Sequence, residues 1–154
     1  MDVTTVDEGC DVLDQVADLF VAYRAFYGRT GDEDAARGFL RERLARRESL
    51  VRAVLDDGRA VAFTQVYPVH SSLGLRTTWL LNDLFVAPDA RGTGAGAALV
   101  RRVLQEAAAA GAAEVRLETQ AANAPARALY EGLGFALATD ADQHDEFLTY
   151  TREP

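Results

Sequence analysis

The stretch LNDLFVAPDARGTGAGAALVRRVLQEAAAAG, residues 81–111, decides the fold. It joins a strand-like run to an amphipathic helix through a segment with three glycines and no large side chain between Gly92 and Gly96. A strand that turns into a helix leaves the first helical N–H groups unpaired and pointing outward, where the helix dipole also favours negative charge. Gly92, Gly94 and Gly96 would let a phosphate approach the main chain without Cβ obstruction, and Arg91 adds positive charge beside it. The plainer reading is a tight turn whose glycines serve packing alone. A P-loop would need Gly-Lys-Ser or Gly-Lys-Thr, which is missing. A dinucleotide-binding turn would space its glycines Gly-x-Gly-x-x-Gly, whereas GTGAGA reads Gly-x-Gly-x-Gly.

Working outward, residues 79–86 form a long strand ending at Pro88, with Asp89 and Gly92 as turn residues. Leu99, Val100, Val103, Leu104 and Ala107 share one face of the helix that follows, and Gly111 closes it. Val115 and Leu117 alternate with Arg116 and Glu118 in a short strand. Pro125 opens a further helix carrying Ala126, Leu129, Tyr130 and Leu133, stopped by Gly134. FALAT and EFLTYT are the closing strands, and HDEFLTYT has the alternation of an edge strand.

Upstream, residues 3–6 make a first strand. Leu13, Val16, Leu19, Phe20 and Tyr23 recur at helical spacing up to a break near Gly28. Thr30 and Glu33 have capping-box spacing before a second helix bearing Ala36, Phe39, Leu40 and Leu44, with RERLARR as its solvated face. Residues 50–55 and 60–67 read as strands joined by an Asp57-Gly58 hairpin, the second interrupted by Pro68, with HSSLGLRTT as a loop. Antiparallel strands followed by a strand–helix–strand crossover specify an α/β fold. Its central sheet is mixed and mostly antiparallel, with six to seven strands and helices on both faces.

With 154 residues, 49% of them hydrophobic, the chain supports one compact core, and residues 1–154 are expected to form a single domain. No apolar run is long enough to cross a bilayer, and the acidic start lacks the basic-then-apolar layout of a signal peptide, so a cytoplasmic protein is expected. The lone Cys10 and two histidines, His70 and His144, give no metal-ligand spacing, and no metal is expected. A net charge of −8 disfavours nucleic acid.

The glycine segment resembles the acyl-coenzyme A site of the Gcn5-related N-acetyltransferase (GNAT) superfamily, Arg/Gln-x-x-Gly-x-Gly/Ala, matched by Arg91, Gly94 and Gly96. LNDLFVAPDARG is similar to the family's fourth strand and turn, and NAPARALYEGLGF to its Asn…Ala…Leu-Tyr…Gly-Phe block. YRAFYG and FTQVYPVHSS resemble a subgroup of small members. The resemblance implies acetyl-coenzyme A as cosubstrate. Main-chain N–H groups of Arg91, Gly92, Thr93, Gly94, Ala95 and Gly96 would hold its pyrophosphate. Leu84, Phe85 and Val86 would line its pantetheine arm, and Asn123 would contact the arm or its phosphate edge. Tyr130 occupies the position of the family's usual general acid. Tyr27, Tyr67, His70 and Asn82 are the acceptor-side candidates, and a homodimer through the C-terminal strands is expected.

Acetyl transfer to an amine needs a neutral nucleophile, yet an alkylammonium with a pKa of about 10 is almost wholly protonated at neutral pH. The strand offers Asn82 and Asp83 as neighbours of a base site, and adjacent strand residues face opposite sides, so only one looks into an acceptor cleft. Some family members carry a carboxylate at the position of Asn82. Asparagine there leaves Asp83, or a carboxylate acting through water, against a structural role for Asp83. Tyr130 can protonate the departing thiolate, or serve as a core aromatic. His70 is an exposed loop residue or a proton relay; His144 is a solvated edge residue. The implied activity is N-acetylation of a small-molecule amine. A non-catalytic acyl-coenzyme A sensor and a modifier of protein N-termini or lysines are the alternatives.

Overall fold

The computed structural model describes residues 1–138 and 146–154, so the expectations for Thr139 and His144 lie outside the described residues. In chain order the elements are β1 (Val3–Val6), α1 (Leu13–Phe26), α2 (Glu33–Ala45), β2 (Leu50–Asp56), β3 (Arg59–Ser71), β4 (Arg76–Val86), a 3-10 turn (Pro88–Ala90), α3 (Ala95–Ala109), β5 (Glu114–Gln120), α4 (Ala124–Gly132), β6 (Ala136–Leu137) and β7 (Phe147–Arg152). The strands form one mixed sheet in the order β1-β2-β3-β4-β5-β7-β6. The chain divides into two compact units, Met1–Val66 with Asp83–Val100, and Tyr67–Asn82 with Arg101–Pro154. Among the described residues no helix is long and apolar enough to cross a membrane.

In the first unit β1 pairs antiparallel with β2, Val3 opposite Val54 and Val6 opposite Val51. β2 pairs antiparallel with β3 from Leu50 opposite Val66 to Asp56 opposite Arg59. Asp57 at φ 47° and Gly58 at φ 78° turn that hairpin, the two positive values that match the twist of the flanking strands. Gln15 of α1 clamps the turn, its Nε2 donating to Gly58 O at 3.2 Å and its Oε1 accepting from Ala60 N at 2.8 Å.

Two apolar clusters lie in this unit. Leu13, Val16, Ala17 and Phe20 of α1 pack with Ala36, Leu40 and Leu44 of α2, Val51 and Ala53 of β2, Phe63 of β3 and Phe85 of β4. Val54, Val61, Ala62, Ala95 and Leu99 form the other, with Leu84 and Val86 against it. Phe85 and its neighbours Leu84 and Val86 thus serve different clusters, as alternation along a strand requires. Phe63 meets Phe20 and Tyr23 edge-on at 6.1 Å each, contacts worth about 0.5–1.5 kcal/mol beyond burial.

In the second unit β4 pairs parallel with β5, Thr78 opposite Glu114 through Leu80 opposite Arg116. β7 pairs antiparallel with β5 on one side and β6 on the other. Trp79, Leu81, Val103, Leu104, Ala107, Val115, Leu117, Leu148 and Tyr150 are buried here.

Four expectations change. β3 runs through Pro68 to Ser71, and β4 starts at Arg76, so the expected loop shrinks to a short turn; a proline removes one ladder N–H without ending a strand near its end. The second helix begins at Glu33 with Asp32 as its N-cap residue, and no side-chain cap forms there. Arg24 of α1 takes both Asp32 carboxylate oxygens, at 2.6 and 2.8 Å. The arginines of α2 are not merely solvated: Arg37 and Arg41 pair with Asp18 and Asp14 of α1. Finally, β6 lies outside β7 and pairs with its Tyr150 and Thr151, so β7 is not the outermost strand of the sheet.

Candidate active site

The first unit carries the β4–α3 junction. Gly94 O accepts the first helical hydrogen bond of α3, from Ala98 N at 3.0 Å. The N–H groups of Ala95, Gly96 and Ala97 therefore have no acceptor upstream within the helix, which leaves a ready site for an anion. Gly92 and Gly94 have φ of 77° and 92°, the left-handed region that favours glycine. A Cβ at either would meet no heavy atom within 4 Å. Backbone conformation, not packing, demands these glycines, and the space before them is open to a ligand. Gly96 differs: it is the second residue of α3 and is buried.

The rest of the turn is braced. Thr93 Oγ1 donates to Ala90 O at 2.7 Å. Asp89 pairs with Arg59 at 2.8 Å, and Ala87 N donates to Val61 O at 2.9 Å. Arg91 Nε donates to Val86 O at 3.3 Å, and its guanidinium lies 5.9 Å from the Phe26 ring centroid. The side chain of Phe85 is core and meets Tyr23 edge-on at 6.4 Å, which leaves its main chain as the part that could serve a ligand.

Asp83 lies in the same unit, 4% exposed, while Asn82 is exposed. Gln65 Nε2 donates to Asp83 Oδ2 at 2.8 Å, and Thr64 Oγ1 donates to Asp83 O at 2.8 Å. Tyr27 is at the end of α1, where Gly28 (φ 77°) donates to Ala25 O and Arg29 N to Arg24 O, a Schellman stop. Its phenol is raised above the ordinary value of 10.0, first by burial and then by the negative charge of Asp83. Tyr23 touches Tyr27 at 5.2 Å, and Phe26 touches Tyr27 at 5.1 Å. The unit therefore combines a buried carboxylate, a partly exposed aromatic wall and a glycine turn at a helix N-terminus.

In the second unit Tyr130 is 6% exposed. The end of α4 explains its placement. Gly134 (φ 84°) donates to Glu131 O, and Phe135 N donates to Tyr130 O at 3.0 Å. This is again a Schellman stop, and its usual apolar contact is Phe135 against the Tyr130 ring at 5.9 Å. The Leu-Tyr…Gly-Phe pattern is thus a helix-ending device that holds Tyr130 in place. Tyr150 lies 6.5 Å from the same ring, and its hydroxyl donates to Glu131 at 2.7 Å and accepts from Arg127 Nε at 3.2 Å. Burial, then the Glu131 contact, raises the Tyr150 phenol.

Asn123 is the N-cap of α4, its Oδ1 accepting from Ala126 N at 3.2 Å. His70 lies on β3 rather than in a loop; it is exposed, with Nδ1 2.9 Å from Thr77 Oγ1. Tyr67 is half-buried on the same strand. Within the first unit the structure assembles Tyr27, Asp83, Leu84 to Val86 and Arg91 to Gly96; within the second it groups Tyr130 and Asn123 on α4, and Tyr67, His70 and Asn82 on β3 and β4. Sequence reasoning missed Gln65, whose signal was one amide inside an otherwise apolar strand, and the Arg127–Tyr150–Glu131 set, whose signal was the four-residue spacing of Arg127 and Glu131. No cluster of three or more metal-ligating side chains occurs among the described residues.

The sequence profile of the Acetyltransferase (GNAT) family matches residues 13–135. An uncharacterized N-acetyltransferase of Bacillus subtilis (strain 168), YhfO, is 40% identical over 120 residues, 78% of this chain and 80% of that protein. The crystal structure of a probable acetyltransferase, 35% identical, superposes with a TM-score of 0.85 over 94% of this chain and 96% of the other. A PaiA N-acetyltransferase from Thermoplasma acidophilum, in complex with coenzyme A, has the same fold at 14% identity, with a TM-score of 0.68 over 99% of each chain.

Proposed function

Because the chain belongs to the acetyltransferase (GNAT) family, we propose that it transfers an acetyl group from acetyl-coenzyme A directly to a primary amine of a small molecule, an amine, polyamine or amino-acid-like compound. The observation that carries this reading is the glycine turn opening α3, with two positive-φ glycines before unpaired helical N–H groups. The main chain of residues 91–96 would hold the coenzyme's pyrophosphate. Leu84 to Val86 and Asn123 would line the pantetheine arm. The coenzyme complex of a protein with the same fold supports the choice of ligand.

When bound, the coenzyme supplies an acetyl group activated as a thioester. An acceptor arriving as an ammonium must first lose a proton, and Asp83 is the carboxylate of the first unit suited to take it. Its burial favours the exchange, because a desolvated carboxylate gains by neutralisation. Tyr27 would wall the acceptor, joined by Tyr67, His70 and Asn82. The amine nitrogen would form the C–N bond as the C–S bond breaks, the Tyr130 hydroxyl would give its proton to the departing sulfur, and the second proton that the nitrogen sheds on becoming an amide would restore that hydroxyl. Main-chain N–H groups of β4 would polarise the thioester carbonyl.

The test is a panel of small amines alongside peptides with free N-termini and lysines, read by release of free thiol. Turnover concentrated among small amines supports the reading. Turnover on peptides alone would reassign the substrate class, and none anywhere, with the coenzyme bound, would make the protein a sensor.

A further inference from the structure

β3 is apolar on both faces where it passes through the first unit: Val61, Ala62, Phe63 and Val66 are all buried, and so are the polar side chains of Thr64 and Gln65, each 0% exposed. Gln65 is anomalous. Its Nε2 donates to Asp83 Oδ2 at 2.8 Å, yet its buried Oε1 has no hydrogen-bond partner. A buried acceptor left unsatisfied is destabilising, and an apolar residue of the same shape would remove that cost. What the amide contributes in return is one strong donor to a carboxylate. Turning the amide over would set Oε1 against Asp83 Oδ2, acceptor against acceptor, and would leave the Nε2 hydrogens facing away. The observed orientation is the one in which the amide donates to the Asp83 carboxyl.

We propose that Gln65 is the positioning residue for Asp83, fixing its carboxylate rotamer and holding it ionised so that it can receive the acceptor's proton. This rests on the reading of Asp83 as the base. Thr64, adjacent on β3, anchors the main chain of Asp83 through its carbonyl, and Gln65 fixes the side chain, so the strand grips the residue at both ends. Tyr27 of α1 is a titratable group close enough for the charge of Asp83 to raise its phenol, and Tyr23 packs edge-on against Tyr27. Phenols stay neutral throughout the acid range in which a carboxylate titrates.

The experiment follows the Asp83 carboxyl carbon by NMR in protein labelled at aspartate, assigned by its loss in Asp83→Asn, in wild type and in Gln65→Met. Methionine keeps the length and removes the donor. The midpoint is expected to rise by about one pH unit or more, the size of a lost hydrogen bond to a charged group, with the acidic limb of kcat/KM moving by the same amount. An unmoved midpoint in folded Gln65→Met overturns the proposal. A midpoint that moves while the kcat/KM limb stays fixed removes Asp83 from catalysis, and with it Gln65's place in the reaction. Wild type alone gives an independent check should the variant not fold: the Gln65 side-chain amide resonance must titrate with the same midpoint as Asp83, and a flat amide resonance refutes the link.

Discussion

Replacing Gly94 with valine separates the cost of the backbone from the function of the cradle. At φ 92° a β-branched residue is strained by about 1–3 kcal/mol. No heavy atom lies within 4 Å of the new Cβ, so no steric term adds to that. For a chain of this size each kcal/mol moves Tm by about 2–4 °C, and the ligand-free variant should melt about 2–12 °C below wild type. Acetyl-coenzyme A at about a hundred times Kd should stabilise wild type by about 2.7 kcal/mol, a rise of about 5–11 °C by the same conversion. In Gly94→Val the side chain occupies the space before α3, and most of that rise should vanish. Gly111→Val is the matched control, with φ 72° and open space around its Cβ, at the other end of α3: it should lower the baseline similarly and keep the full rise. Differential scanning fluorimetry with and without acetyl-coenzyme A reads both. A Gly94→Val protein that keeps the wild-type rise would refute the cradle.

Tyr130→Phe should keep the coenzyme-induced rise in Tm while kcat falls by about 10²- to 10⁴-fold, the usual size for lost general acid catalysis; steady-state kinetics decide it, and unchanged turnover ends the acid role. Asp83→Asn should lower kcat/KM most at neutral pH and recover in part as pH approaches the amine's own pKa; a deficit equal at every pH, with a lower Tm, would assign Asp83 to structure. Tyr27's phenol is raised by burial first and by the charge of Asp83 second, so Asp83→Asn should lower it towards the ordinary value without reaching it. The sign follows from linkage: a raised folded-state phenol contributes stability fully present below about pH 10 and lost as pH climbs through the folded value. Tyrosinate absorbance across alkaline pH measures the shift, and identical curves for the two proteins would deny the Asp83–Tyr27 interaction.

The glycine turn was legible because its backbone needs are written in residue types: glycine at 92 and 94 is what positive φ requires, and the helix behind it repeats its apolar face through Leu99, Val103 and Ala107. The opposite facing of Asn82 and Asp83 followed from strand alternation alone. What escaped notice depended on partners distant in sequence. Thr64 and Gln65 are adjacent, so alternation would send one outward, but β3 is covered on both sides and buries both. The capping spacing at Thr30 did not mark the helix start: α2 begins at Glu33, after Asp32, whose carboxylate is held by Arg24 eight residues earlier. The alternation of β7 could not reveal whether β6 lay outside it. The roles proposed for Tyr130 and Asn123 rest on resemblance to the family; what the geometry shows is that each serves a helix end, Asn123 at the start of α4 and Tyr130 at its stop.

The most direct test measures free thiol and N-acetylated amine in the same reaction, with purified protein, acetyl-coenzyme A and the best amine from the panel. Direct transfer predicts that the two products appear together in equal amounts and that both disappear in Tyr130→Phe far more than coenzyme binding does. Thiol released without acetylated amine, or a coenzyme-stabilised protein that forms neither product with any amine, would contradict the account.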